Sequence, residues 1–140
     1  MKIVNLDGYT TNPGDLSWDW LEKYGDYTIY DRTAQDEVIE RSKDADILII
    51  NKTVITADML DQMPKLKYIG LQSTGYNVVD CKAARERNIV VSNIPAYSTN
   101  AVAQLVFSFI LQTTNKVSLH SNAVFDGEWC KCPDFCFWKA

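Results

Sequence analysis

A hydroxyl-rich glycine loop, one histidine and four cysteines are the chemistry-bearing features of this 140-residue sequence. The loop reads Gln72-Ser73-Thr74-Gly75-Tyr76-Asn77. Gly75 permits a tight turn with successive exposed backbone N–H groups, an arrangement suited to holding a small carboxylate. The same residues also make an ordinary turn between elements, and chemistry alone leaves the two readings open. Ser73 and Thr74 carry hydroxyl nucleophiles, but no partner base can be named for either. The only histidine, His120, has no Asp or Glu one helical turn before it to orient its ring. A solvated residue near a helix C-terminus is therefore favoured over an acid–base role. Cys130, Cys132 and Cys136 with His120 would complete a Cys₃His zinc set. Their spacing is not a paired CxxC, so free thiols in an aromatic tail are favoured and no metal is expected.

Phosphate-binding patterns are missing. The six glycines are Gly8, Gly14, Gly25, Gly70, Gly75 and Gly127, and no two are separated by a single residue, which excludes a dinucleotide fingerprint. Gly70 and Gly75 are spaced like a P-loop pair, yet Tyr76-Asn77 follows where Lys and Ser or Thr are required. The loop Asp7-Gly8-Tyr9-Thr10-Thr11-Asn12 lacks a hydroxyl-rich cradle for a flavin phosphate. A response regulator would need a phosphorylatable Asp where Asn51 stands.

These groups must be positioned by short apolar runs at 2–6, 27–30, 47–50, 67–71 and 89–91. Each is brief and nearly continuous in apolarity, as expected of parallel strands buried on both faces. Between them lie amphipathic stretches. Leu16 and Trp20, with Trp18, Leu21 and Tyr24, space a first helix; Thr33 is the expected N-cap of a second, with Asp36 in its first turn. Thr56 should cap a third helix ending before Pro64. Asp80 should cap a fourth, running through Ala83 and Ala84 to Arg87. Five strands joined by four crossovers predict an α/β fold with an open, doubly wound, parallel five-stranded sheet. Ligands of such sheets sit beyond the strand carboxyl ends, where the loop 72–77 leads into the helix capped by Asp80.

The pattern changes at Pro95. A helix starting at Ser98 or Thr99 and running to about His120 is apolar nearly all round, through Val102, Leu105, Val106, Phe107, Phe109, Ile110 and Leu111. Such a helix should be buried on all sides. An aromatic tail follows, with Phe125, Trp129, Phe135, Phe137 and Trp138, and residues 1–97 can cover only one side of the helix, so the sequence reads as truncated. At 46% hydrophobic and 23% charged, the chain has the composition of a packed globular protein. A net charge of −4 without a basic cluster argues against a nucleic-acid partner. The run 101–111 is interrupted by Gln104 and Ser108 and falls short of the roughly 20 apolar residues of a membrane span. Asn5 and Asp7 break any signal-peptide apolar region. A cytoplasmic location with reduced thiols is expected.

Three stretches together resemble a known family. They are Leu66-Lys67-Tyr68-Ile69-Gly70, Ser73-Thr74-Gly75-Tyr76-Asn77-Val78-Val79-Asp80, and 88–104 with its Ser92-Asn93-Ile94-Pro95 and Ser98-Thr99-Asn100-Ala101. The chain resembles the D-isomer-specific 2-hydroxyacid dehydrogenases. Asn51-Lys52-Thr53, Gly127-Glu128-Trp129 and Phe135-Cys136-Phe137-Trp138 are similar to the glycerate dehydrogenase (hydroxypyruvate reductase) branch, and Asn77 and Gln104 read as markers of that branch. The resemblance implies a flavodoxin-like substrate domain over 1–97. Residues 98–140 would be an interdomain crossing helix and the start of a nucleotide-binding Rossmann domain, ending before its fingerprint. It further implies that Thr74, Gly75 and Tyr76 hold a substrate carboxylate through their backbone, that Asn51 and Lys52 face the same cleft, and that Thr99 lies near the nicotinamide end of NAD or NADP. The family's catalytic Arg, Glu and His match nothing here, His120 included, so no catalytic residue and no bound cofactor are expected in this chain. The implied partner is a small 2-oxo or 2-hydroxy acid of the hydroxypyruvate or glyoxylate type, with no nucleic acid and no membrane. A homo-oligomer through the apolar helix or the missing domain is also expected. The alternative is a free-standing flavodoxin-like module that binds a small carboxylate or a protein partner without catalysis.

Overall fold

The computed structural model describes residues 1–134. The chain divides into two compact units, Met1–Ala96 and Tyr97–Ala140. In the first unit, β1 (Lys2–Asn5), β2 (Asp26–Ile29), β3 (Ile47–Ile50), β4 (Tyr68–Leu71) and β5 (Val90–Ser92) form one sheet of order β2-β1-β3-β4-β5. Every pairing is parallel, with Ile3 opposite both Tyr27 and Ile47, Ile50 opposite Leu71, and Ile69 opposite Val91. This is the strand order of flavodoxin-like sheets, whose topological switch point lies between β1 and β3.

One face of the sheet carries the core. Val4, Leu48, Ile50, Ile69 and Leu71 are fully or almost fully buried there against Val38 of α1 (Val38–Ser42), Leu60 of α2 (Ala57–Leu60) and Ala83 and Ala84 of α3 (Cys81–Glu86). Burying a residue such as Leu48 or Ile50 contributes about 1.5–3 kcal/mol. The opposite face is less complete than the sequence suggested. Ile47, Ile49, Tyr68 and Gly70 are only half-buried, and with Trp18 and Trp20 they border an open cavity of about 590 Å³. The burial on both faces expected of all five strands is reached by β1, whose Ile3, Val4 and Asn5 are all buried between two neighbours.

The helices depart from expectation where side chains compete with the backbone. The first helical stretch shrinks to a 3₁₀ segment, Asp19–Tyr24, with Leu21 its one buried residue. The Asn12 side chain prevents an earlier start. Its Oδ1 accepts from the N–H groups of Gly14 (3.0 Å) and Leu16 (3.1 Å), and its Nδ2 donates to the Leu16 carbonyl (2.7 Å), which fixes residues 12–16 as a loop. Thr33 is not an N-cap. The helix begins at Val38 because Glu37 Oε2 accepts from the Ala34 N–H and closes a preceding turn, while the Thr33 hydroxyl accepts from Arg41 Nη1 at 3.0 Å. Thr56 occupies the N-cap of α2 without a side-chain bond, whereas Asp80 Oδ1 accepts from the Ala83 N–H at 2.9 Å as the sequence predicts.

In the second unit, α4 (Thr99–Asn115) ends earlier than the helix expected to reach His120. Lys116 adopts φ 49°, ψ 42°, a left-handed conformation that terminates α4, and α5 (Val117–Phe125) and α6 (Glu128–Lys131) follow. The expected all-round burial is also overturned: no residue of α4 is buried, and Phe107 and Phe109 are 65% and 64% exposed. No helix among the described residues is long and apolar enough to cross a membrane. Phe135, Phe137 and Trp138 of the expected tail lie outside the described residues.

The two caps give a direct test. Asp80→Ala should lower unfolding free energy by about 1 kcal/mol, and Thr56→Ala by clearly less, as read from urea titration. Equal losses would mean that the Asp80 bond contributes nothing.

Candidate functional site at the carboxyl ends of β1, β3 and β4

All candidate residues of the first unit fall beyond the carboxyl ends of its strands. Asp7 follows β1, Asn51 and Lys52 follow β3, and Thr74–Tyr76 follow β4. The ladder carries on past the strand ends, with Leu6 N–H donating to Ile49 O (3.0 Å) and Gln72 N–H to Ile50 O (2.8 Å). The β3 and β4 loops therefore leave the sheet side by side.

Asp7 organises the first of these loops, a role that the sequence analysis did not assign it. Its Oδ2 accepts from three consecutive backbone N–H groups, those of Asn51 (2.7 Å), Lys52 (2.9 Å) and Thr53 (2.9 Å). Burial pushes the Asp7 carboxyl upward, but those N–H donors, with the nearby Thr53 hydroxyl, outweigh it and hold the group below its ordinary value of 3.8. Asp7 is itself fixed: its N–H donates to Asn5 Oδ1 (3.0 Å), and its carbonyl accepts from Thr10 N–H (3.0 Å) and Thr10 Oγ1 (2.7 Å). Gly8 lets the chain turn here, because a Cβ would lie 2.5 Å from Ile29 Cγ2. The sequence shows only an acidic residue two positions past the first strand, with no local sign of its distant partners.

Asn51 is tied to the same network by its side chain, whose Nδ2 donates to Thr10 Oγ1 at 2.8 Å. Lys52 is fixed only through its backbone and leaves its ammonium exposed. In the second loop, Ser73 Oγ donates to Gly75 O (2.8 Å), Thr74 Oγ1 donates to Ile94 O (3.1 Å), and Asn93 Nδ2 donates to Thr74 O (2.7 Å). These bonds clamp the loop to the segment after β5. They leave the backbone N–H groups of Thr74, Gly75 and Tyr76 without a protein acceptor among the described residues. Beside them, Gln72 Oε1 is buried without a partner.

Gly75 differs from expectation. Its φ lies outside the left-handed region, and a Cβ would meet only Asn77 Oδ1, at 3.4 Å. The turn does not require glycine, and the space over its backbone is open.

The remaining candidates lie in the second unit. Thr99 is the exposed first residue of α4. His120 sits in the first turns of α5, half-buried beside Ala123, Val124 and Trp129, because the break at Lys116 removes the helix C-terminus expected near it. Cys130 is exposed and Cys132 half-buried; Cys136 lies outside the described residues. Among the described residues no three His, Cys, Asp or Glu side chains come together as a metal set.

Comparison with known proteins gives this geometry a context. The D-isomer specific 2-hydroxyacid dehydrogenase catalytic domain matches residues 10–125. A hydroxypyruvate reductase of Blautia hydrogenotrophica is 45% identical over 141 residues, covering 99% of this chain and 44% of the relative. A glycerate dehydrogenase of Methylorubrum extorquens is 36% identical over 136 residues, covering 97% and 43%. Among solved structures, an acyclic imino acid reductase in complex with NADPH and D-Arg superposes with a TM-score of 0.73 at 30% identity, over 91% of this chain and 41% of that one. The chain thus spans less than half the length of the relatives it matches.

Two substitutions separate structure from surface. Asp7→Asn should lower stability at pH 7 by about 2–3 kcal/mol, since three N–H groups lose an ionised acceptor. Because the folded carboxyl is held below 3.8, its contribution is complete above that value and disappears as pH falls through the depressed one. Urea midpoints of wild type and Asp7→Asn should therefore converge in strong acid, and a gap that persists there would refute the assignment. Gly75→Ala should change stability by no more than about 0.5 kcal/mol in the same assay.

Proposed function

Since this chain belongs to the D-isomer specific 2-hydroxyacid dehydrogenase family, we propose that it is the substrate-binding part of a nicotinamide-dependent oxidoreductase. The whole enzyme would interconvert a small 2-oxo acid of the hydroxypyruvate or glyoxylate type and its D-2-hydroxy acid. In this reading 1–97 is the substrate domain, and 98–140 leads into a nucleotide-binding domain. The observation that carries it is the row of unaccepted backbone N–H groups at Thr74, Gly75 and Tyr76, beyond the carboxyl end of β4. Hydrogen bonds from such groups to a carboxylate are charge-assisted and roughly twice as strong as neutral ones. They would hold the acid by the end that does not react.

The other residues have defined tasks. Gly75 keeps the approach to the backbone open, Lys52 adds positive potential beside the bound anion, and Asn51 fixes the wall next to it. Thr99 would face the nicotinamide end of the cofactor. The 140 residues contain no glycine pair of the pyrophosphate turn, so their chemistry is confined to binding and orienting the organic acid. The reading places the protein in the cytoplasm, where thiols such as Cys81, Cys130 and Cys132 stay reduced.

Homo-oligomerisation belongs to the same reading. Val102, Leu105, Val106, Phe107, Phe109, Ile110 and Leu111 are each half or more exposed on α4. Covering each is worth about 1.5–3 kcal/mol, enough to drive pairing of two copies across a two-fold axis. Light scattering after size exclusion should show the chain as a dimer or larger at micromolar concentration; a clean monomer near 15.9 kDa would exclude it.

The full-length protein should consume NADH when given hydroxypyruvate or glyoxylate. Gly75→Val should raise KM for the acid by about tenfold and leave the Kd for NADH within about twofold. Equal damage to both would make the loop structural and reject the carboxylate assignment. The 140-residue chain alone should neither bind NAD in calorimetry nor oxidise NADH, and micromolar binding would reject the division of labour proposed.

A further inference from the structure

We propose that Asp7 is a positioning residue for the organic-acid site, serving as a built-in anion that fixes the turn 51–53 and so presents Asn51 and Lys52 along the carboxyl edge of the sheet. The inference rests on the functional reading above.

The argument starts from geometry. Three successive backbone N–H groups converge on a single oxygen, Asp7 Oδ2, at 2.7, 2.9 and 2.9 Å. Consecutive amides that point inward in this way form a concave anion site, the kind of nest that elsewhere takes phosphate. It stands at the end of β3 beside β1, the switch point at which sheets of this strand order receive their ligands. Here the chain supplies the anion itself. Asp7 is 5% exposed and is held in place by Asn5 and Thr10, so the nest is closed to solvent and to substrate.

The network reaches the candidate ligands twice over. Asn51 is joined to Asp7 directly through its N–H and indirectly through Nδ2, Thr10 Oγ1 and the Asp7 carbonyl. Lys52 has no other described tether than its N–H on Asp7, and its side chain is free to meet an anion. The adjacent unaccepted N–H groups, at Thr74, Gly75 and Tyr76, lie one strand further along. A closed nest beside an open cradle gives a single carboxylate one place to bind. The turn lies past the strand ends, so loosening it changes how the substrate is met more than how the core packs.

The test uses the full-length protein with two variants, Asp7→Asn and Asp7→Ala. Both should raise KM for the 2-oxo acid by about tenfold while kcat changes by less than about threefold, and Kd for NADH should not move. Added formate should lower the raised KM of Asp7→Ala by refilling the nest, with no such gain in Asp7→Asn, where the amide occupies the space. A wild-type control reports formate competing with the substrate. If Asp7→Ala does not fold, the KM and kcat of Asp7→Asn decide alone. Melting temperatures that fall while KM stays at the wild-type value would overturn the role and leave the functional reading intact. A wild-type enzyme that turns over no 2-oxo acid, and is not thermally stabilised by one, would overturn the reading and the role of Asp7 with it.

Discussion

The parallel pairing of β1 with both β2 and β3 constrains everything else in the first unit. A parallel strand can be reached only by carrying the chain back to the sheet's starting edge, so each crossover removes its bulk from the carboxyl edge. What remains there is the beginning of each connection: Asp7 to Thr10, Asn51 to Thr53, and Ser73 to Asn77. No long-range folding of loops is needed to assemble the site. It is assembled by register, with Ile50 opposite Leu71, and the two loops that leave after them start as neighbours.

Electrostatics then distinguishes two cradles of similar make. Each offers several backbone N–H groups at a strand end, and each would attract an anion. The one at 51–53 is part-buried to buried and covered by Asp7, where an empty set of donors costs about 1–3 kcal/mol per unsatisfied group. The one at 74–76 is exposed, where water can satisfy the donors. Only the buried cradle requires a permanent occupant, and Asp7 provides it with a carboxyl whose ionised form is favoured despite desolvation.

The parts of the fold legible in the sequence are those governed by local pattern. The apolar runs marked all five strands to within a residue or two, and Asp80 announced its helix because an N-cap needs only its own side chain and a nearby N–H. Two of the misreadings come from side chains bonding across several residues, and a third from the backbone. Asn12 prevented a helix at Leu16, Glu37 with Arg41 displaced the start assigned to Thr33, and Lys116 in a left-handed conformation ended α4, although nothing in its residue type signals such a backbone. The glycine loop was legible as a loop, and its required N–H groups as a possibility. Asp7 was not legible, because its partners are 44 to 46 residues away and only the sheet brings them together.

Gly75 and Gly8 are glycines for different reasons. Gly8 is explained by the protein, since any side chain there would strike Ile29. Gly75 is not: its φ is ordinary and its nearest obstacle is Asn77 Oδ1 at 3.4 Å, a contact most side chains tolerate. Gly75 is a glycine that neither its φ nor its neighbours require, beside N–H groups that the described residues leave unaccepted. Close approach to a backbone is the one benefit that a Cβ would remove there. The same reasoning applies to α4, whose Phe107 and Phe109 are unexplained by the residues around them. On the function proposed above, the first would be met by a small anion, because the donors are few and adjacent, and the second by a large apolar surface, because a whole helix face is exposed.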